Sequence, residues 1–246
     1  MPGVHLIWLE SPQLASTAQP GQFVMVRCGE ETLLRRPLSI HQLADGSKLA
    51  FLFNVVGKGT HWLAQCQVGN NIDLLGPLGN GFSIHPESHN LLLVAGGIGI
   101  APLRFLIDKT LEKGKEVTLL LGAQTSSHLY PESLLPLGIG LAKTTEDGSA
   151  GEKGMITDSF RGLVSFAVAD QVFACGPTGM YREMASRKKE LKIEGKPVQI
   201  SLEVRMGCGR GVCYGCTVKT KQGLKQVCQD GPVFDLDDIL WDELVC

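Results

Sequence analysis

Along the first third of the chain the apolar positions come in short bursts. "QFVMVRC" (22–28) and "LAFLFNVV" (49–56) are rich in β-branched and aromatic residues, and "QPG", "ADGSK" and "VGNN" supply turns. Residues 1 to about 87 therefore predict short antiparallel strands, of a spacing that suits a small barrel. From residue 88 the pattern changes. "HNLLLVAG" (89–96), "EVTLLLGAQ" (116–124) and "DQVFACGP" (170–177) are continuous apolar runs, as expected of strands covered on both faces. Between and after them, "APLRFLIDKTLEKG" (101–114) and "TGMYREMASRKKELKIEG" (178–195) carry helical spacing, each with a closing glycine. Strands alternating with helices predict a parallel α/β domain. No repeat or low-complexity linker separates the two halves, so they are expected to pack directly.

Composition adds limits rather than a function. The 246 residues are long enough for two cores and a small appendage. A net charge of −2 gives no general pull toward nucleic acid or anionic membrane. The basic "SRKKELK" and acidic "DLDDILWDEL" runs read as solvated faces. The longest apolar run, "LLLVAGGIGIAPLRFLI", is broken by glycines, a proline and an arginine, which argues against a membrane span. "MPGVHLIWLESPQ" lacks the basic and apolar regions of a secretory signal, so a cytoplasmic protein is expected. Eight cysteines in such a compartment point to metal or redox chemistry rather than disulfides.

Four of them are grouped. Cys208, Cys213, Cys216 and Cys228 are separated by four, two and eleven residues, the C-x4-C-x2-C…C order of plant-type 2Fe-2S ligation. A two-iron cluster needs two inward-facing thiolates per iron, and Gly207, Gly209, Gly211 and Gly215 let the backbone wrap closely around it. Zinc is the competing reading. Zinc ribbons pair two short C-x2–4-C knuckles, whereas here the fourth cysteine stands alone. Eleven residues before the last ligand is shorter than in ordinary plant-type ferredoxins and suits a compact C-terminal subdomain. Cys28, Cys66, Cys175 and Cys246 share no ligand spacing and read as buried apolar thiols. The six histidines, His5, His41, His61, His85, His89 and His128, show no metal-ligand pairing, and no hydrolase triad is visible.

"VAGGIGIAPL" (94–103) lies between a predicted strand and its helix, where glycines let a pyrophosphate approach free N–H groups. It is G-G-x-G-x-x-P, not the G-x-G-x-x-G fingerprint, and taken alone it equally describes a tight strand–helix turn. "ACGPTGM" (174–180) is a second glycine turn at a strand end, and two such turns are where an open α/β sheet binds ligands.

Three segments in this order, "RRPLSI" (35–40), "GGIGIAPL" (96–103) and "ACGPTGM", resemble the ferredoxin-reductase superfamily, which joins a flavin-binding β-barrel to a nicotinamide-binding α/β domain. The cysteine segment followed by "DGPVF", with "TTEDGSAGEKGMITD" (144–158) and "SLEVRMGCG", narrows the resemblance to the electron-transfer subunits of NAD-dependent dihydroorotate dehydrogenases. It covers nearly the whole chain. At the front, that family has a further strand of which part is missing here, so either a trimmed start or a barrel closed by a shorter first strand is expected.

The resemblance implies three parts: an FAD-binding antiparallel β-barrel (1–87), an NAD-binding parallel α/β domain (88–200) and a small 2Fe-2S subdomain (201–246). It assigns Arg36, Pro37, Leu38 and Ser39 to the flavin strand, where an arginine can clamp a pyrophosphate; the plainer reading is a surface arginine ahead of an edge strand. Phe53, Asn54 and Val55 would line the ribityl and adenine side, with Gly59 and Thr60 at a phosphate-facing helix start. Thr60 would equally serve as an N-cap. Gly96, Gly97, Gly99 and Ala101 would admit the nicotinamide nucleotide, and Cys175, Gly176 and Pro177 would lie near its reactive ring. Cys175 is either a proton donor or an inert thiol. "GAQTSSHLY" (122–130) has no arginine for a 2′-phosphate, which favours NAD over NADP. The implied partner is an FMN-containing catalytic subunit, in a heterotetramer of two plus two. Two alternatives remain: a flavin subunit of a sulfide dehydrogenase or of an NADH-dependent ferredoxin:NADP oxidoreductase, and a zinc-stabilised flavin module without electron transfer.

Overall fold

The computed structural model describes residues 1–158 and 168–244. The first part holds β1 (Val4–Glu10), α1 (Pro12–Ala15), β2 (Phe23–Val26), β3 (Arg36–Ala44), β4 (Lys48–Asn54), α2 (Lys58–Gln65) and β5 (Leu74–Leu78). The strands form one antiparallel sheet in the order β1-β4-β3-β2-β5. The expected barrel is thus a five-stranded sheet with two ends, since β1 and β5 share no ladder among the described residues. β1 pairs with β4 along its whole length, Val4 opposite Asn54 through Glu10 opposite Lys48, so it is not shortened relative to its partner.

The second part contains β6 (Asn90–Gly96), α3 (Ile100–Glu112), β7 (Glu116–Ala123), β8 (Gly140–Thr145), β9 (Glu152–Lys153), β10 (Gln171–Cys175), α4 (Thr178–Ser186) and β11 (Val198–Ser201). The last part adds β12 (Thr217–Thr220), β13 (Gly223–Gln226), α5 (Val227–Asp230) and β14 (Val233–Asp235). A seven-stranded sheet runs β14-β11-β10-β6-β7-β8-β9, parallel except for β14. The β plus α/β organisation expected from the alternating pattern is present. The helix expected over 178–195 ends at Ser186 instead, because Leu191 and Ile193 turn back into the core.

The modules share their cores. Along β2, period-two alternation sends Val24 and Val26 into the first sheet's interior, while Phe23 and Met25 join the core built on β10, β11 and the C-terminal segment. This explains why "FVMV" reads as unbroken apolar: both faces are covered. Phe105 of α3 likewise sits in the first sheet's core, and Leu52 of β4 in the core beneath α3. No helix among the described residues is long and apolar enough to cross a membrane.

Candidate functional site

β3 carries the first group. Arg36, Pro37, Leu38 and Ser39 stand opposite Val26, Met25, Val24 and Phe23. Leu38 is buried in the interior with Val24, so alternation puts Pro37 and Ser39 on the other face, beside Met25 and Phe23, at the junction with the second sheet. The two arginines separate by role. Arg35 is structural: Nη1 and Nη2 grip the Asp73 carboxylate at 3.0 and 2.5 Å, and Nη1 also donates to the Met25 carbonyl at 3.3 Å. Arg36 faces the start of α2, where a Cβ added at Gly59 would stand 3.0 Å from its Nε. α2 is N-capped at Gly57, not at Thr60. Thr60 is its third residue, and its hydroxyl accepts from the Val56 and Gly57 amides at 2.9 and 3.2 Å. The first-turn amides of Lys58, Gly59 and Thr60 have no intrahelical acceptor. Gly59 is buried against the Arg36 side chain and Cys28, so the missing side chain lets a guanidinium lie beside a helix start, and these residues fit a dinucleotide pyrophosphate. Of the other three flavin candidates only Asn54 is exposed; Phe53 is buried and stacks on His5, and Val55 is half-buried.

The two glycine turns of the parallel sheet lie against each other at the carboxyl ends of β6 and β10. A Cβ at Gly99 would fall 1.9 Å from the Cys175 carbonyl oxygen, and one at Gly96 would meet Pro177 Cδ at 2.9 Å. A Cβ at Gly176 would meet Met180 Cε at 2.7 Å. These three glycines are required by turn-to-turn packing. Gly97 differs: its φ is +56° and a Cβ there would meet nothing within 4 Å, so it is the one facing open space. Ala101 is buried, and its carbonyl takes a bond from His41. Cys175 ends β10 with its thiol 3.8 Å from the Ser201 carbonyl oxygen. Burial, with the Glu203 carboxylate adding to it, pushes this thiol up to about 12. Tyr181 ties the turn down, accepting from the Gly176 amide at 2.9 Å and donating to the Ser201 carbonyl at 2.7 Å.

The cysteine segment closes on itself through its backbone. The amides of Arg210, Gly211 and Cys228 donate to Cys208, Cys228 and Cys216 sulfur at 3.4, 3.2 and 3.4 Å. The Arg210 amide, with the Cys213 amide after it, holds Cys208 down to about 6, in the range of a ready thiolate. Cys228 is raised to about 11 by burial and by its bond with Cys216. Cys213 acts on Cys208, and Cys216 acts on Cys228 most strongly with Cys208 also contributing. Among the described residues no three such ligands gather around one point as a mononuclear site needs. Four neighbouring thiols under amide donors fit a two-iron cluster, with two thiolates for each iron. The loop is also placed: Gly209, at φ +71°, lies against the Met25 side chain, and Gly211, at φ +74°, against Gln229.

Comparison with known proteins agrees with this geometry. Residues 203–240 match the iron-sulfur cluster binding domain of dihydroorotate dehydrogenase B, and residues 93–186 match the oxidoreductase NAD-binding domain. The electron transfer subunit of dihydroorotate dehydrogenase B (NAD(+)) from Desulforamulus reducens is 37% identical, covering 98% of this chain and 94% of that protein. Its counterpart from Clostridium acetobutylicum is 40% identical, covering 88% and 84%. The chain belongs to this family. It is also similar to a solved NADH-dependent reduced ferredoxin-NADP oxidoreductase, at 36% identity and a TM-score of 0.88, covering 98% of this chain and 87% of that one. A ferredoxin NADP+ reductase from Neisseria gonorrhoeae, at 17% identity and TM-score 0.64, shares the fold.

Several residues of the site escaped sequence reasoning. Met25 sits inside an apolar strand, and nothing local marks it as the contact for the cluster loop. Tyr181 reads as an ordinary helix residue. His41 looked like one of six scattered histidines, yet it is fully buried with both ring nitrogens bonded. Asn80 holds the cluster segment through Gln229 and Asp230 carbonyls at 3.2 and 3.0 Å. Cys246 lies outside the described residues.

Proposed function

We propose that this chain carries electrons between a catalytic flavoprotein subunit, which oxidises dihydroorotate in pyrimidine biosynthesis, and NAD. FAD when bound exchanges two electrons with a nicotinamide and single electrons with a 2Fe-2S cluster, which is the conversion such a chain needs. Arg36 and the first turn of α2, with Gly59 and Thr60, hold the FAD phosphates. Pro37 and Ser39 present the strand face on which the ring lies, and Leu38 anchors that strand in the core. Asn54 is the exposed polar group on the ribityl and adenine side, with Phe53 and Val55 behind it. Gly97 admits the nicotinamide nucleotide, while Gly96, Gly99, Ala101, Gly176 and Pro177 shape the two turns around it. Cys208, Cys213, Cys216 and Cys228 bind the cluster.

One observation carries the reading. Gly209 of the cluster loop packs on Met25, and Met25 stands directly opposite Pro37 on the flavin strand. Neighbouring strands lie about 4.8 Å apart, so cluster loop and flavin strand are separated by a single strand. The finer expectation is a heterotetramer of two of these chains with two FMN-containing catalytic subunits, in the cytoplasm. Co-expression with the catalytic subunit and an anaerobic assay of NAD reduction by dihydroorotate tests it. NADH formation that is lost on omitting this chain supports the proposal; no turnover from a complex with full FAD, FMN and iron overturns it.

A second reading is favoured by the likeness to the NADH-dependent reduced ferredoxin-NADP oxidoreductase. Reduced ferredoxin and NADP in place of dihydroorotate would then support turnover in the complex with the chain's physiological partner.

A further inference from the structure

Side chains of Gln171, Gln199 and Lys115 tie the second module to residues 83–86, and from within the first sheet the His41 side chain also crosses the boundary. Ile40 pairs with Phe51 and Gln42 with Ala50, so His41 is the extra residue of a bulge in β3, without a partner of its own on β4. Bulges re-aim side chains. Here the imidazole leaves the first sheet, is 0% exposed, and reaches the helix that follows the nucleotide turn. Its Nδ1 lies 2.9 Å from the Ala101 carbonyl oxygen and its Nε2 3.0 Å from the Tyr130 hydroxyl. A carbonyl only accepts, so Nδ1 bears the proton and Nε2 accepts from Tyr130. The ring is held neutral: burial lowers His41 to about 4, the Ala101 bond opposes this, and the nearby Arg104 adds to it.

We propose that His41 is a positioning residue that sets how the nicotinamide meets the flavin, by fixing the nucleotide turn against the flavin strand. The inference rests on the assignment of Arg36–Ser39 to FAD and of Gly97 to the nucleotide. His41 stands two residues after Ser39, and its acceptor Ala101 four residues after Gly97. Both loops therefore reach the cofactors from one bridge. The apolar contacts around it, Phe105 in one core and Leu52 in the other, contribute stability but no direction. A hydrogen bond specifies direction and distance, and misplacing reacting groups by 1 Å costs about 100-fold in rate.

The test uses the full-chain holoprotein with NADH in anaerobic stopped flow. Tyr130→Phe removes one bond of the bridge, and His41→Asn keeps a donor for Ala101 but no acceptor for Tyr130. Each is expected to slow flavin reduction at saturating NADH by about 10-fold and to weaken the long-wavelength absorbance of the nucleotide–flavin complex. FAD content, iron content and the half-saturating NADH concentration stay at wild-type values. His41→Leu is expected to lose about 100-fold; if it fails to fold, the other two variants decide. Wild-type rate and wild-type absorbance in both of those variants overturn the inference. A fall in rate that only follows lost FAD overturns it as well, since that marks a folding role. Wild-type protein that holds FAD but is not reduced by NADH overturns the assignment beneath it.

Discussion

Gly99 and Gly97 sit two residues apart in one turn, one packed against the facing turn and the other open. At Gly99 φ is −59°, which alanine adopts freely, so the cost of Gly99→Ala is purely steric. Its methyl would stand 1.9 Å from the Cys175 oxygen, 2.4 Å from the Cys175 carbonyl carbon and 2.9 Å from the Gly176 nitrogen, all backbone atoms. Ordinary contact requires opening this gap by roughly 1.5 Å. The Tyr181 hydroxyl pins the Gly176 amide, so the turn cannot simply recede. Overpacking costs about 1–3 kcal/mol when neighbours can adjust, and here the upper end or beyond is expected. For a chain of this size about 3 kcal/mol lowers Tm by roughly 6–12 °C. Gly97→Ala meets no atom within 4 Å but must hold φ +56°, which costs about 1–2 kcal/mol. Thermal unfolding of the holoprotein by circular dichroism, with NADH titrations of both variants, compares them. Gly99→Ala should lose most stability and Gly97→Ala most NADH affinity. A Gly99→Ala protein melting within about 2 °C of wild type refutes the packing argument.

Arg36→Ala should weaken FAD binding by about 10- to 100-fold, the weight of one charge-assisted hydrogen bond, as read by FAD retained after gel filtration; unchanged retention excludes the clamp. Cys175→Ala should keep the pH profile of NADH oxidation, since a thiol pushed up to about 12 is a poor acid near neutrality, whereas losing a true general acid would cost about 100- to 10,000-fold. Cys228→Ser should abolish visible cluster absorbance and bound iron while Cys66→Ser keeps both; iron analysis of the pair decides between them. Asp73→Asn should cost under about 1 kcal/mol, because this carboxylate is half-exposed and solvent screens its pair with Arg35. The Arg35 hydrogen bonds lower the Asp73 carboxyl below its usual 3.8. Its contribution is therefore present above that value and disappears as pH falls through the depressed one. Acid unfolding of Asp73→Asn that starts at the same pH as wild type, with the same loss, would remove Asp73 from the account.

The iron-sulfur segment was legible because a cysteine spacing survives any surrounding fold, and the parallel strands because burial on both faces leaves unbroken apolar runs such as "LLLVAG". The glycines were legible as a motif but not as individuals. "GGIGIAP" gives no sign that Gly96 and Gly99 answer to the facing turn while Gly97 faces outward, since that depends on a strand some eighty residues away. Long-range placement also hid Met25, whose strand looks like any core strand until its alternate faces are seen to serve two modules. His41 was hidden for another reason. A one-residue bulge changes the direction of a side chain without changing the pattern of residue types around it. The short β12–β13 hairpin escaped because polar, lysine-rich strands lack the apolar alternation by which strands are recognised.

The cluster segment has little to stand on by itself, and this bears on how it can work. Its own sheet is the two-stranded β12–β13 hairpin, a unit marginal alone in water. Its stability comes from attachments to the other modules. β14 adds an antiparallel strand beside β11, with Ile200 opposite Phe234. The Asn80 amide donates to the Gly231 carbonyl at 2.6 Å, and Val218, Val227, Leu236 and Ile239 enter the core that already holds Met25. Two of the proposed ligands, Cys216 and Cys228, are buried in that same core, whereas Cys213 is exposed between the exposed Val212 and Tyr214. The segment is therefore fixed on the side that faces β2 and β3 and open on the other. A carrier that must hold one distance constant, while offering the second to a partner, needs that asymmetry. Here it follows from where the apolar residues of a small C-terminal segment could find a core.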